Sequence, residues 1–103
     1  MSGNLLRQMI DRIAGQFHPR RVILFGSHAT GQATDQSDVD LLIVSDDGTE
    51  AHDQALAIRR SLGDFPVACD IIVSPSSEFE RYRNVVNHVA YLADRYGKVV
   101  YER

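Results

Sequence analysis

The sequence contains a single cysteine among 103 residues. Cys69 alone cannot form an internal disulfide framework, and it excludes a cysteine-rich zinc site. Its place in the apolar run Val67–Val73 marks it as a small core residue. Basic charge is also scarce. Eleven Lys and Arg stand against fourteen Asp and Glu, for a formal net charge of −3. That balance argues against non-specific nucleic-acid binding, which needs a basic face. No apolar run approaches membrane-spanning length, and the N-terminus lacks the charged-then-apolar layout of a signal peptide, so the expected location is cytoplasmic. Repeats, low-complexity tracts and internal linkers are absent, and the length predicts a single domain over 1–103.

What is present is concentrated in Phe25–Val44, FGSHATGQATDQSDVDLLIV. An apolar run ends at Phe25, a polar loop punctuated by glycine follows, and a second apolar run then begins. That second run carries Asp38 and Asp40 at its start. Carboxylates in an apolar strand need an explanation, because burying one without a partner is costly. Residues i and i+2 of a strand point to the same face, roughly 6.6 Å apart along it. Two carboxylates so placed repel each other unless a proton or cation lies between them. A hard divalent cation such as Mg²⁺, held by one or two carboxylates plus substrate phosphates, satisfies that requirement. Gly26-Ser27 supplies a plausible phosphate seat. A helical turn beginning at Ser27 presents free backbone N–H groups to an anion, and glycine lets a phosphate approach the main chain.

The remaining elements follow from periodicity. Leu5, Leu6, Met9, Ile10, Ile13, Ala14 and Phe17 predict an amphipathic helix over about 4–16, capped by Ser2 or Asn4 and ended by His18-Pro19. Strands are expected over 22–25, 39–44 and 67–73, and a short one in the tail 98–101. Arg20 and Arg21 read as solvated charges at a strand start, and His28 as an exposed loop residue. Asp46-Asp47-Gly48 signals a turn. Thr49 is the expected cap of a helix with Ala51, Ala55, Ile58 and Leu62 on one face, ending at Gly63. Ser76 or Ser77 is the expected cap of a last helix running unbroken to Tyr96, with Gly97 ending it. Asp70 is a third acid within an apolar strand. If that strand lies beside the 39–44 strand, about 4.8 Å away, Asp70 reaches the same cation as Asp38 and Asp40.

Gly26-Ser27, Ala29, Gly31 and Ser37-Asp38-Val39-Asp40-Leu41 together resemble the polymerase-β-like nucleotidyltransferases, over roughly 10–73 and more loosely through the last helix. The small size resembles the minimal nucleotidyltransferases, antitoxin partners of HEPN ribonuclease toxins. The resemblance implies an α+β domain of the two-layer nucleotidyltransferase fold, with a small mixed β-sheet flanked by helices. It implies catalytic and metal-binding roles for Asp38, Asp40 and Asp70, with two Mg²⁺ ions and ATP as substrate. It also implies nucleotide binding by Gly26 and Ser27, and AMP transfer (AMPylation) onto a tyrosine of a HEPN-family toxin. Many relatives carry Arg where this chain has Thr30, which removes one phosphate-contacting cation. Two alternatives stand beside this reading. One is an antitoxin that binds nucleotide or toxin without turnover. The other is a small-molecule nucleotidyltransferase of the aminoglycoside-modifying kind, whose members carry an additional domain for the acceptor.

Overall fold

A computed structural model describes residues 3–34 and 36–103. The central strand β2, Val39–Ser45, is the best buried element of the fold. Its run Leu41–Val44 has no polar alternation because both faces of the sheet are covered. Leu41 and Ile43 enter one core and Leu42 and Val44 the other. The first core is closed by Met9 and Ile13 of α1 (Gly3–Phe17) and by Ile58 of α3 (Ala51–Ser61), with Leu62 just past its end. The second is closed by Phe79 of α4 (Ser76–Tyr82) and by Ala90 and Ala93 of α5 (Val89–Tyr96). Two alanines facing the sheet let α5 approach β1 (Arg21–Phe25) closely, and Gly97 completes that approach. A Cβ at Gly97 would lie 2.8 Å from Ile23 Cγ2 and from the Leu24 carbonyl oxygen.

The sheet order is β3-β2-β1-β4, with β3 at Cys69–Pro75 and β4 at Lys98–Glu102. β1 pairs antiparallel with both β2 and β4, and β2 pairs parallel with β3 through the α3 crossover. The result is a four-stranded mixed sheet flanked by helices, the α+β architecture that the sequence predicts. The short α2, Ser27–Thr30, follows β1 directly.

Several local expectations are corrected. The last helix is broken. α4 stops at Tyr82 and α5 starts at Val89, with Asn87 between them at φ 70°. Apolar positions keep helical spacing across the gap, but Asn84-Val85-Val86-Asn87 is a run of weak helix formers, and Asn tolerates the left-handed conformation better than most residues. His88 then caps α5, its Nδ1 accepting the Ala90 N–H at 3.1 Å. α4 has Pro75 at its N-cap and no cap from Ser76 or Ser77. The carboxylate of Asp47 accepts the Ser77 N–H instead, at 2.8 Å. α3 is capped by Glu50, which accepts from the Asp53 N–H, and not by Thr49. β3 starts at Cys69, two residues later than expected, and Ser2 lies outside the described residues. β4 forms in the tail as expected.

Candidate active site

The alternation that sends Leu42 and Val44 toward α4 and α5 sends Asp40 to the same face, nearer the start of β2. Parallel pairing places Asp40 directly beside Asp70. Neighbours in register project from the same face, so the two carboxyls face each other across the parallel pair. Asp40 is half-buried, whereas Asp70 and Asp38 are exposed. Burial raises the Asp40 pKa above the ordinary carboxylate value, and the Asp70 charge, the hydrogen bond to Asp70 and the Asp38 charge raise it further. His28 acts in the opposite direction.

The backbone on either side of Asp38 is pinned. The Ser37 carbonyl accepts from His28 Nε2 at 3.1 Å, and the Val39 N–H donates to the Ala68 carbonyl at 2.9 Å. A carbonyl can only accept, so Nε2 carries the proton. His28 therefore couples α2 to the loop that presents Asp38. It is half-buried rather than the exposed loop residue the sequence suggests. No local signal reveals this contact, which joins residues nine apart through a side chain. Within the loop, the Ser37 hydroxyl accepts the Thr34 N–H at 2.9 Å.

Gly26 lies against Asp40. It adopts φ 73° and ψ −154°, and a Cβ there would run into the Asp40 carboxylate, 3.2 Å from Cγ. Glycine is thus required twice, by conformation and by space. The Gly26 carbonyl starts α2 by accepting from Ala29 and Thr30 N–H at 3.1 and 3.3 Å. Ser27 is the half-buried first residue of that turn. The Thr30 hydroxyl turns back onto the carbonyls of Gly26 and Ser27, both at 3.4 Å. The structure therefore brings together Asp40 and Asp70 on neighbouring strands and Gly26 just past the end of β1, with Ser27 and Asp38 at the margins. Arg20 and Arg21 are remote. Arg21 pairs with Val44 while Phe25 pairs with Asp40, so the arginines sit about 13 Å down the sheet. There they bind Asp46 and Glu102.

Among the described residues, no three His, Cys, Asp or Glu side chains converge into a ready-made metal cage. The donor chemistry nonetheless suits a hard cation. Three carboxylates supply oxygen ligands, and the raised pKa of Asp40, due first to burial and then to its acidic neighbours, marks a surplus of negative charge that a divalent ion would relieve.

Residues 6–92 match the sequence model of the nucleotidyltransferase domain. The chain belongs to that family. Nucleotidyltransferase domains generally use nucleoside triphosphates and divalent metals, and general nucleotidyl transfer is the function this membership supports. The fold also matches a crystal structure of a candidate nucleotidyltransferase from Sulfolobus solfataricus, with a TM-score of 0.67 and 22% sequence identity. The match covers 97% of this chain and 79% of that one. No curated protein matches the sequence. Among the described residues of this nucleotidyltransferase domain, no helix is long and apolar enough to cross a membrane.

Proposed function

We propose that this nucleotidyltransferase domain transfers AMP from ATP, with Mg²⁺, to a tyrosine of a cognate HEPN-family toxin and thereby serves as its antitoxin. The observation that carries the transfer chemistry is the in-register pair Asp40–Asp70 with Gly26 packed against Asp40. The protein acceptor rests on the resemblance to the minimal nucleotidyltransferases. An exposed Asp70, with exposed Ile72 two residues along the same face, suits an acceptor delivered from outside.

In this reading Asp38, Asp40 and Asp70 hold the metal. Magnesium, when bound, supplies charge neutralisation at the reacting phosphates. Gly26 and the first N–H groups of α2 seat the distal phosphates, and Ser27 offers its hydroxyl there. The acceptor oxygen forms a bond to the α-phosphorus while the α–β anhydride bond breaks and pyrophosphate leaves. The acceptor proton passes to Asp70, the more exposed of the paired carboxylates.

The test is the intact mass of the co-encoded partner after incubation with this protein, ATP and Mg²⁺. A gain of one or more AMP units, lost with Asp38→Asn or Asp40→Asn in folded protein, is the expected result. A stable complex without mass gain would replace transfer by binding. Neither gain nor complex would move the acceptor to small molecules.

A further inference from the structure

A cleft of about 360 Å³, with Asp38 in its lining, opens between α1, the loop before β2 and the segment leading into β3. Its size falls within the range of small-molecule sites, which are mostly apolar with a few polar groups that fix orientation. One wall is apolar, made of Leu5, Pro66, Val67 and Ala68. The other carries His28, Thr34, Gln36, Ser37 and Asp38. Two of those polar residues belong to the site already described. Asp38 is one of the three acids, and His28 holds the loop to α2.

We propose that this cleft receives the nucleoside of the donor nucleotide and that Gln36 reads its base as adenine. The inference rests on the nucleotidyl-transfer reading and adds to it where the base lies and what selects it. A nucleoside triphosphate is linear in its chemistry. With its distal phosphates at Gly26 and α2 and its α-phosphate at the acids, the sugar and base must continue beyond them. The cleft shares Asp38 with the acids and His28 with the contact that holds the loop to α2, so it is a concave space adjoining both. Its wall of Leu5, Pro66 and Val67 suits the face of a planar heterocycle but carries no aromatic ring for stacking, so selection falls to hydrogen bonds at the base edge. A glutamine amide offers donors and an acceptor side by side, which match the N6 amino group and N7 of adenine, whereas the same edge of guanine presents two acceptors, O6 and N7. Gln36 is exposed on the loop, where its amide is accessible to a ligand. The loop's shape is set by the His28 and Ser37 contacts rather than by Gln36's own side chain.

The test measures binding rather than turnover, using ATP, GTP and inorganic tripolyphosphate with Mg²⁺ in titration calorimetry. Wild-type protein is expected to bind ATP more tightly than tripolyphosphate and than GTP. Ala68→Trp, which fills the cleft from an exposed position, should weaken ATP by on the order of tenfold while leaving tripolyphosphate unchanged. Gln36→Ala, on an exposed loop where folding is not at stake, should bring ATP and GTP to similar affinities, a loss of about tenfold in preference. ATP binding unaffected by either variant would overturn the cleft assignment while leaving the phosphate and acid sites standing. An unchanged ATP-to-GTP ratio in Gln36→Ala would overturn base reading by that residue. A wild-type protein that binds neither ATP nor tripolyphosphate would instead bring down the underlying nucleotidyl-transfer reading, and the cleft assignment with it.

Discussion

Asp40 is a residue whose placement works against stability. Its pKa in the folded chain lies above the ordinary carboxylate value, so the folded state holds the proton more tightly than the unfolded state. The contribution of Asp40 to stability is therefore fully present at pH below the unfolded value near 3.8, and it is lost as pH rises through the folded pKa. Asp40→Asn removes that loss. In the presence of a chelator the variant should melt a few degrees higher than wild type at neutral pH, with the gap closing on acidification. Added Mg²⁺ should raise the melting temperature of wild type and not of the variant. Equal melting of the two proteins across the pH range would mean that Asp40 is not under strain from its neighbours. Gly26 faces the same pair from the other side. Gly26→Ala forces a side chain into the Asp40 carboxylate at a positive φ, and its cost should be about 1–3 kcal/mol in urea unfolding. Both residues were legible in the sequence, because a carboxylate in an apolar strand and a glycine at the strand end each break a local rule. The role of His28 was not, since its partner is a backbone carbonyl of another segment.

Between α4 and α5 the legibility of the sequence fails for a physical reason. Hydrophobic period reports which face is buried, and the face of α4 and the face of α5 both meet the same sheet, so the period survives a break in the helix. What stops α4 is the Asn84–Asn87 run. What restarts α5 is His88, stacked on Tyr82 at 4.5 Å between ring centroids and capping the helix with Nδ1. Arg83 bridges the break by binding Glu80 of α4 and Asp94 of α5. If the cap matters, His88→Ala should destabilise the protein by about 1 kcal/mol, and His88→Asp should recover most of that loss, because aspartate caps without stacking. A full loss in His88→Asp would assign the effect to the Tyr82 stack instead. Helix caps were misplaced at α3 and α4 for a related reason. Glu50 competes with Thr49 one residue away, and the cap of α4 comes from Asp47, thirty residues earlier in the chain.

At the scale of the whole molecule, the decisive fact is that β2 lies between β1 and β3, which sets Asp40 beside Asp70 on one side and against Gly26, just past β1, on the other. The sequence supplied the acids and a conditional: Asp70 comes within reach of the other acids if β3 neighbours β2. Only the topology puts the two strands side by side. The opposite end of the sheet is held by charge. Asp46 accepts from Arg20 Nε and Arg103 Nη2, both at 2.8 Å, and Arg103 also donates to the His18 carbonyl at 3.1 Å. The turn after β2, the start of β1 and the last residue are thereby joined across 57 residues of sequence. Asp46 has its pKa lowered, first by the hydrogen bond from Arg103 and then by that from Arg20. A depressed carboxylate contributes stability above its unfolded pKa and loses it as pH falls toward the folded value. Asp46→Asn should therefore melt below wild type at neutral pH. That difference should shrink as pH drops from roughly 5 toward 2 and should shrink also in high salt, because the cluster is exposed. The pH dependence runs opposite to that of Asp40, so one titration of melting temperature, carried out on wild type and both variants, separates the two ends of the sheet. The carboxylate pair at the site end is relieved by acid, while the clamp at the far end is released by it. If Asp46→Asn tracked wild type at every pH, the Asp46 cluster would add nothing to the ladder, the Arg21–Glu102 pair and the core packing of Val100 and Tyr101 that hold β4.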